Sequence, residues 1–190
     1  MAAKSSFRNM VLCLFAVCLV CSAILGLTYT GTKAPIEEAS RKALVEALAL
    51  VLPDSVEISA EARTAGFEGT EYEYYTASSD GAVKACAVTS VTNGFGGPLT
   101  VLVGVYTDGK VCGTKVLSHT ETPGLGAKCA TDTSFIDQFA GFEGRLKVRK
   151  DGGDIDAITA STITSRAYTL AVDNAVKLVK SLYEQDRSDN

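Results

Sequence analysis

Between Asn9 and Thr32 the chain carries no charged residue, and from Met10 to Leu27 it is apolar apart from Ser22 and Gly26. About 18–20 apolar residues cross the hydrocarbon core of a bilayer as a helix. No irregular backbone survives in lipid, because its polar groups would stay unpaired. The stretch therefore predicts one membrane-spanning helix near the N-terminus. A cleaved signal peptide competes with this reading, but its apolar core runs about 7–15 residues and ends in small residues. The core here is longer and has no such exit, so a retained anchor is expected. Val17 and Val20 precede Cys18 and Cys21 where a lipid-attachment signal needs a small residue.

Charge gives an orientation. Lys4 and Arg8 precede the span, which favours a cytoplasmic N-terminus, although Lys33, Arg41 and Lys42 follow it. A single-pass protein of the inner or plasma membrane is expected, with its folded domain on the extracytoplasmic face. Setting Lys4 and Arg8 aside leaves 16 basic against 22 acidic residues, or −6. Such a domain should not adhere to anionic lipid, and a nucleic-acid partner is not expected. With 46% hydrophobic and 21% charged residues among 190, the chain has the makings of one folded domain.

The order of segments follows. Residues 1–32 read as N-terminus and anchor, and 33–53 as a linking helix in which Leu44, Leu48 and Leu52 recur between Pro35 and Pro53. Residues 54–185 read as one α+β domain, an antiparallel sheet packed by helices, and 186–190 as a polar tail. Strands are expected at Glu71–Ala77, Val83–Val91, Leu99–Thr107 and Val111–Leu117, the last two joined by an Asp108–Gly109 hairpin turn. Gly94–Pro98 is a glycine-rich loop outside any phosphate-loop pattern. A short helix is expected over Thr131–Phe142 and a basic strand over Arg145–Lys150. The last helix, from about Thr164 to Gln185, carries Ala167, Ala171, Ala175, Val179 and Leu182 on one side.

Cys13, Cys18 and Cys21 lie in the span, where soft, small side chains meet lipid or a neighbouring helix. Cys86, Cys112 and Cys129 have no metal-ligand spacing, and no metal site is expected. Cys86 and Cys112 would pair only in an oxidising compartment; buried free thiols are the default.

Two stretches carry chemistry. Asp156 to Ser165 (Asp-Ala-Ile-Thr-Ala-Ser-Thr-Ile-Thr-Ser) places five hydroxyls in ten residues and runs into the last helix. Hydroxyls at a helix start accept from its free N–H groups. The positive end of the helix also suits a phosphate. The run is therefore either a capped helix start or a phosphate site. Ser118 to Gly126 combines the one histidine, His119, with Glu121, a proline turn and two glycines. A turn accounts for it locally, and no nucleophile elbow accompanies it, so a hydrolase is not indicated.

The first stretch resembles the flavinylation motif of the FMN-binding domain family, Asp-x-x-Ser/Thr-Gly-Ala-Thr. That family includes the RnfG component of the Rnf electron-transport complex and the NqrC component of the sodium-pumping NADH:quinone reductase, and the chain's size fits the former better. Asp156 matches the acid, Thr159 the Ser/Thr, and Thr162 the threonine that carries FMN through a phosphoester. Ala160 stands where glycine is usual and Ser161 where alanine is usual. The second stretch is similar to the family's His-x-Glu-Thr-Pro-Gly-Leu-Gly element, and Phe95 to Pro98 to its aromatic-Gly-Gly-Pro element.

The resemblance implies one covalent FMN per chain. It implies a site formed by Asp156, Thr159, Ala160, Ser161, Thr162 and Thr164 with His119, Glu121, Thr122, Gly124, Leu125 and Gly126, where Leu125 packs on the flavin ring. No residue would turn over substrate. The implied role is electron relay within a ferredoxin:NAD oxidoreductase that couples redox to ion translocation. The implied partners are the other Rnf-type membrane subunits (A, B, C, D and E) and a flavin transferase for maturation. A stand-alone flavinylated extracytoplasmic carrier, an NqrC-like subunit and an anchored binding module without flavin are the alternatives.

Overall fold

The computed structural model describes residues 7–54, 56–59, 61–142 and 144–188. Lys4 and the last two residues of the expected tail lie outside them. The chain forms two compact units that divide after Ala43.

The first unit contains most of helix α1 (Phe7–Val51). Its apolar window is long enough to cross a membrane and is not buried within the chain. The hydroxyls of Thr28, Thr30 and Thr32 donate to the carbonyls of Ile24, Gly26 and Thr28 at 2.7, 3.0 and 2.7 Å. Returning these hydroxyls to the helix's own backbone pairs them without need of water. The sequence suggests a fresh helix near Pro35, whereas Pro35 lies inside α1. Its ring removes one N–H from the ladder, and helix continues on both sides.

The second unit, from Leu44 onward, is built on a six-stranded antiparallel sheet. Its strands are β1 (Glu57–Ile58), β2 (Arg63–Phe67), β3 (Thr70–Ser79), β4 (Ala82–Asn93), β5 (Pro98–Tyr106) and β6 (Val111–His119). The order is β1-β3-β4-β5-β6, with β2 pairing the same edge of β3 further along. Alternation sorts the side chains. Val101, Val103, Val105, Cys86 and Val88 enter one core with the stripe Ala167, Ala171, Ala175 and Val179 of helix α3 (Thr162–Ser188). Small residues in that stripe let the helix lie close to the strands. Phe135, Phe139 and Tyr168 close this core, with ring centroids 5.0–5.3 Å apart.

Leu102, Ala77, Ala85 and Ala87 face the other way, against Ala47, Leu48, Val51 and Leu52. Gly104 and Gly113 are opposed across β5 and β6. A Cβ at Gly113 would lie 3.3 Å from Val51 Cα, and one at Gly104 would collide with the Val51 carbonyl. Only glycine lets the helix backbone rest on the sheet there.

The expected Cys86–Cys112 option is not realised. Cys86 lies in the α3-side core and Cys112 packs against the opposite one, and both are free thiols.

Three expectations need correction. The helix expected over Thr131–Phe142 shrinks to α2 (Thr133–Ile136). Asp132 caps it by accepting from the Ser134 N–H, and Gly141, at φ +66°, turns the chain so that its N–H meets the Val111 carbonyl. The expected strand Arg145–Lys150 does not form. Its residues make one bridge, Val148 to Ile155, then a 3-10 turn Arg149–Asp151 closed by Gly152 at φ +78°. Four cationic side chains in six residues leave too little apolar surface to hold a strand to the sheet. Helix α3 begins at Thr162, two residues before the expected start, and continues through Ser188 into the expected tail. Strands β1 and β2 and a 3-10 helix over Gly126–Ala130 complete the unit.

Candidate functional site

The hydroxyl-rich run divides its labour. Ser165 Oγ accepts from the Ile158 N–H at 3.0 Å and donates to the Ser161 carbonyl at 2.9 Å, folding the preceding loop onto the first turn of α3. Ala160 then reverses the chain at φ +61°. That is the left-handed region where a side chain costs about 1–2 kcal/mol and glycine costs little. The turn delivers Ser161 and Thr162 to the head of α3.

A cavity of about 370 Å³ opens there, lined by Phe95, Glu121, Thr122, Leu125, Gly126, Ala160, Ser161, Thr162, Ile163 and Thr164. Its size falls within the range of roughly 300–1,000 Å³ common for small-molecule sites. Phe95, Leu125 and Ile163 supply exposed apolar walls, 70%, 45% and 49% accessible.

Glu121, by contrast, is only 5% exposed. Its Oε2 accepts from Thr164 Oγ1 at 2.8 Å, and its Oε1 from the Gly96 N–H at 3.2 Å. One carboxylate thus joins the Gly94–Pro98 loop, the 121–126 turn and the first turn of α3. Thr120 adds a bond to the Gly96 carbonyl at 3.0 Å. A Cβ at Gly126 would lie 2.7 Å from Thr164 Oγ1 and collide with the Glu121 carboxylate, as would one at Gly94. These glycines make room for the carboxylate. Burial pushes the Cys129 thiol up to about 11, and the charge of Glu121 adds to the effect.

Thr162 stands between two environments. Sharing Ala160 and Thr162 with the apolar cavity is a second one of about 320 Å³, lined also by Arg149, Lys150, Asp156, Ala157, Ile158 and Thr159. Lys150 Nζ donates to Thr162 Oγ1 at 3.4 Å. Arg149 pairs with Asp156 at 2.9 Å, and Arg166 grips both oxygens of Asp151 at 2.6 and 2.7 Å. The Arg166 guanidinium holds the Asp151 carboxyl below the ordinary carboxylate range.

The two sequence stretches therefore meet. Glu121, Thr122, Leu125 and Gly126 face Ala160, Ser161, Thr162 and Thr164 in one cavity. Asp156 and Thr159 lie on the basic side. His119 and Gly124 line neither. His119 Nδ1 accepts from the Glu121 N–H at 3.3 Å, and Gly124, at φ +77°, makes the turn. Phe95, Ile163 and Lys150 join the site from outside the expected set. Phe95 is signalled by an aromatic within a glycine loop, whereas Lys150 is recruited only by the tertiary fold. Among the described residues no group of three or more His, Cys, Asp and Glu side chains is placed to hold a metal.

Comparison with known proteins matches residues 94–177 to the FMN-binding domain and residues 1–51 to the RnfG N-terminal region. The first match begins at the glycine loop and ends within α3, so it contains every wall of the cavity. The G component of the ion-translocating oxidoreductase complex of Vibrio cholerae is 33% identical, over 94% of this chain and 91% of its own length. Its counterpart in Cereibacter sphaeroides is 36% identical over 84% of this chain and 78% of its own. The crystal structure of Shewanella oneidensis NqrC, 19% identical, covers 72% of this chain and 71% of its own with a TM-score of 0.49. By its sequence along nearly its whole length, the chain belongs to the RnfG family, the G components of ion-translocating oxidoreductase complexes.

Proposed function

We propose that this chain is the membrane-anchored electron-transfer subunit of an Rnf-type ferredoxin:NAD oxidoreductase that couples redox to ion translocation, with FMN bonded through its phosphate to Thr162. The observation that carries the reading is the position of the Thr162 hydroxyl. It sits at the first residue of α3, on the lip of an apolar cavity, with an ammonium on its other side.

The residues present fit the group. Phe95, Leu125 and Ile163 offer apolar surface to a flat ring, and the glycines at 94 and 126 let the Glu121 carboxylate sit against the helix beneath them. Ser161 Oγ is buried with no hydrogen-bond partner among the described residues, beside the same cavity. An unpaired buried hydroxyl costs about 1–3 kcal/mol, which a polar edge of a ligand would offset. Bound FMN would supply one- and two-electron redox chemistry. Glu121 holds the walls in register, the apolar residues exclude water, and α3 fixes the attachment point.

Attachment would form a bond between Thr162 Oγ and the FMN phosphorus of FAD, break the pyrophosphate link and release AMP. The hydroxyl proton would pass to a base on the transferase. Covalent attachment suits a domain on the extracytoplasmic face, where a lost flavin is not readily replaced. The remaining Rnf-type subunits, A to E, would supply and receive the electrons. The apolar segment of α1 would keep the domain at high effective concentration beside them.

The test is in-gel fluorescence of denatured protein made together with a flavin transferase. Wild type should fluoresce, and its tryptic peptide 151–166 should gain the mass of one FMN less one water. Thr162→Ala should lose both while remaining membrane-bound. Fluorescence that persists in Thr162→Ala overturns the assignment.

A further inference from the structure

We infer that Lys150 is the phosphate-positioning residue of this site: its ammonium is reserved for the anion that forms on Thr162, and it accelerates attachment. The inference rests on the reading that Thr162 is the attachment point, and extends it to a residue outside both sequence motifs.

The argument begins with the other cations near the motif. Arg149 is committed to Asp156 at 2.9 Å, and Arg166 to Asp151 through two bonds. Lys150 follows Arg149 in the same turn but pairs with no carboxylate among the described residues. It contacts the Thr162 hydroxyl instead, at 3.4 Å. An ammonium beside a neutral hydroxyl gains little, because a threonine oxygen is a weak acceptor for a full charge. A phosphodiester on that oxygen would place an anion opposite the ammonium, turning an ion–dipole contact into an ion pair.

The geometry of the turn supports this role. Residues Arg149–Asp151 form a 3-10 turn closed by Gly152, and the Asp151–Arg166 and Arg149–Asp156 pairs tie that turn to α3 and to the motif loop. Lys150 is thus carried on a short segment braced on both sides. The two cavities also separate by chemistry. The one containing Leu125 and Phe95 is apolar, and the one containing Lys150 and Arg149 is cationic, with Thr162 and Ala160 common to both. A ligand with a flat apolar ring and a phosphate matches that division. The ring side is met by the apolar walls, and the phosphate side by Lys150 together with the positive end of α3, a helix of 27 residues.

In the transfer from FAD, negative charge builds on the oxygens of the phosphorus under attack as the pyrophosphate link breaks. Lys150, whose ammonium contacts the Thr162 oxygen, would attract that charge. It takes no proton and forms no bond, so it is a positioning residue.

The experiment uses the full-length chain in detergent with purified flavin transferase and FAD, following flavin incorporation by in-gel fluorescence and the mass of the Thr162-containing peptide. Lys150→Gln should slow incorporation roughly ten-fold or more, the loss expected for one charge-assisted contact. Lys150→Arg should stay within about three-fold of wild type, since the cation is kept although its geometry differs. Added salt should slow wild type more than Lys150→Gln. Lys150 is exposed, so the melting temperature of all three proteins should agree. Labelling of Lys150→Gln at the wild-type rate, or equal loss in the Gln and Arg variants, overturns the inference while leaving the attachment reading intact. Label that persists in Thr162→Ala, or is absent from wild type, overturns the attachment reading and this one with it.

Discussion

The two walls of the cavity are made in different ways. The wall from Gly94 to Pro98 and Glu121 to Gly126 is fixed from within, by a buried carboxylate with a hydroxyl on one oxygen and a backbone N–H on the other. Glycines occur there because the carboxylate occupies the space a Cβ would need. The wall from Asp151 to Thr162 is held by the buried Ser165 hydroxyl at its Ile158–Ser161 end but only by exposed ion pairs at its Asp151–Asp156 end, and it places alanine rather than glycine at a left-handed position. Buried polar contacts are costly to break and insensitive to salt, whereas exposed pairs contribute little and are screened. The first wall should therefore behave as permanent framework and the Asp151–Asp156 end of the second as an adjustable edge.

The comparison is broken most directly at Glu121. Glu121→Ala leaves the Thr164 hydroxyl and the Gly96 N–H buried and unpaired, each costing about 1–3 kcal/mol. The chemical-denaturation midpoint should fall by the equivalent of about 2–5 kcal/mol, and Glu121→Gln, which keeps an acceptor, should recover part of it. A midpoint unchanged in Glu121→Ala would show that the carboxylate does not hold the site together.

Ala160 gives a smaller effect of opposite sign. Ala160→Gly relieves about 1–2 kcal/mol of left-handed backbone cost and gives back about 0.5–1 kcal/mol in chain entropy. A net gain of roughly 0.5–1 kcal/mol should appear in thermal or denaturant unfolding. Destabilisation by glycine would mean that the alanine methyl has a packing role that outweighs its conformation.

The smallest effect belongs to Asp151. Its pKa is lowered in the folded state by the hydrogen bonds from Arg166. A depressed carboxylate contributes stability above its unfolded pKa, about 3.9, and loses it as pH falls through the folded value. Asp151→Asn should thus be slightly less stable than wild type at pH 7, and the two should converge below about pH 3.9 or in high salt. A difference that survives both acid and salt would assign Asp151 a role beyond its ion pair.

Much of the scaffold was readable from residue order. Val101, Val103 and Val105 alternate around one side of β5, and the alanines of α3 recur at helical spacing, because each of those elements buries a single face. The Asp108–Gly109 turn marked the hairpin, whose register irregularities at Thr100/Val101 and Gly104/Val105 shift its pairing. Where periodicity was absent the reading failed. Arg145 to Lys150 has no buried face, so its conformation is decided by Gly152 and by carboxylates distant in sequence. Strand β2 is mostly exposed and is held by pairing with β3, which local pattern does not encode. At the site, the two motifs could be picked out by their unusual composition, but their meeting through Glu121 and Thr164, 43 residues apart, is a product of the fold. Lys150 illustrates the same limit, since nothing in a run of basic residues says which cation has no carboxylate partner among the described residues.

The placement of Thr162 on α3 has a mechanical consequence. A threonine on a mobile loop would let any group bonded to it sample a wide volume, blurring its separation from an incoming redox partner. As the opening residue of a helix clamped along the sheet by its alanine stripe, it has a backbone position set by that packing. Any variation in reach would then come from the linker atoms of the attached molecule, and the protein would act as a fixed mount.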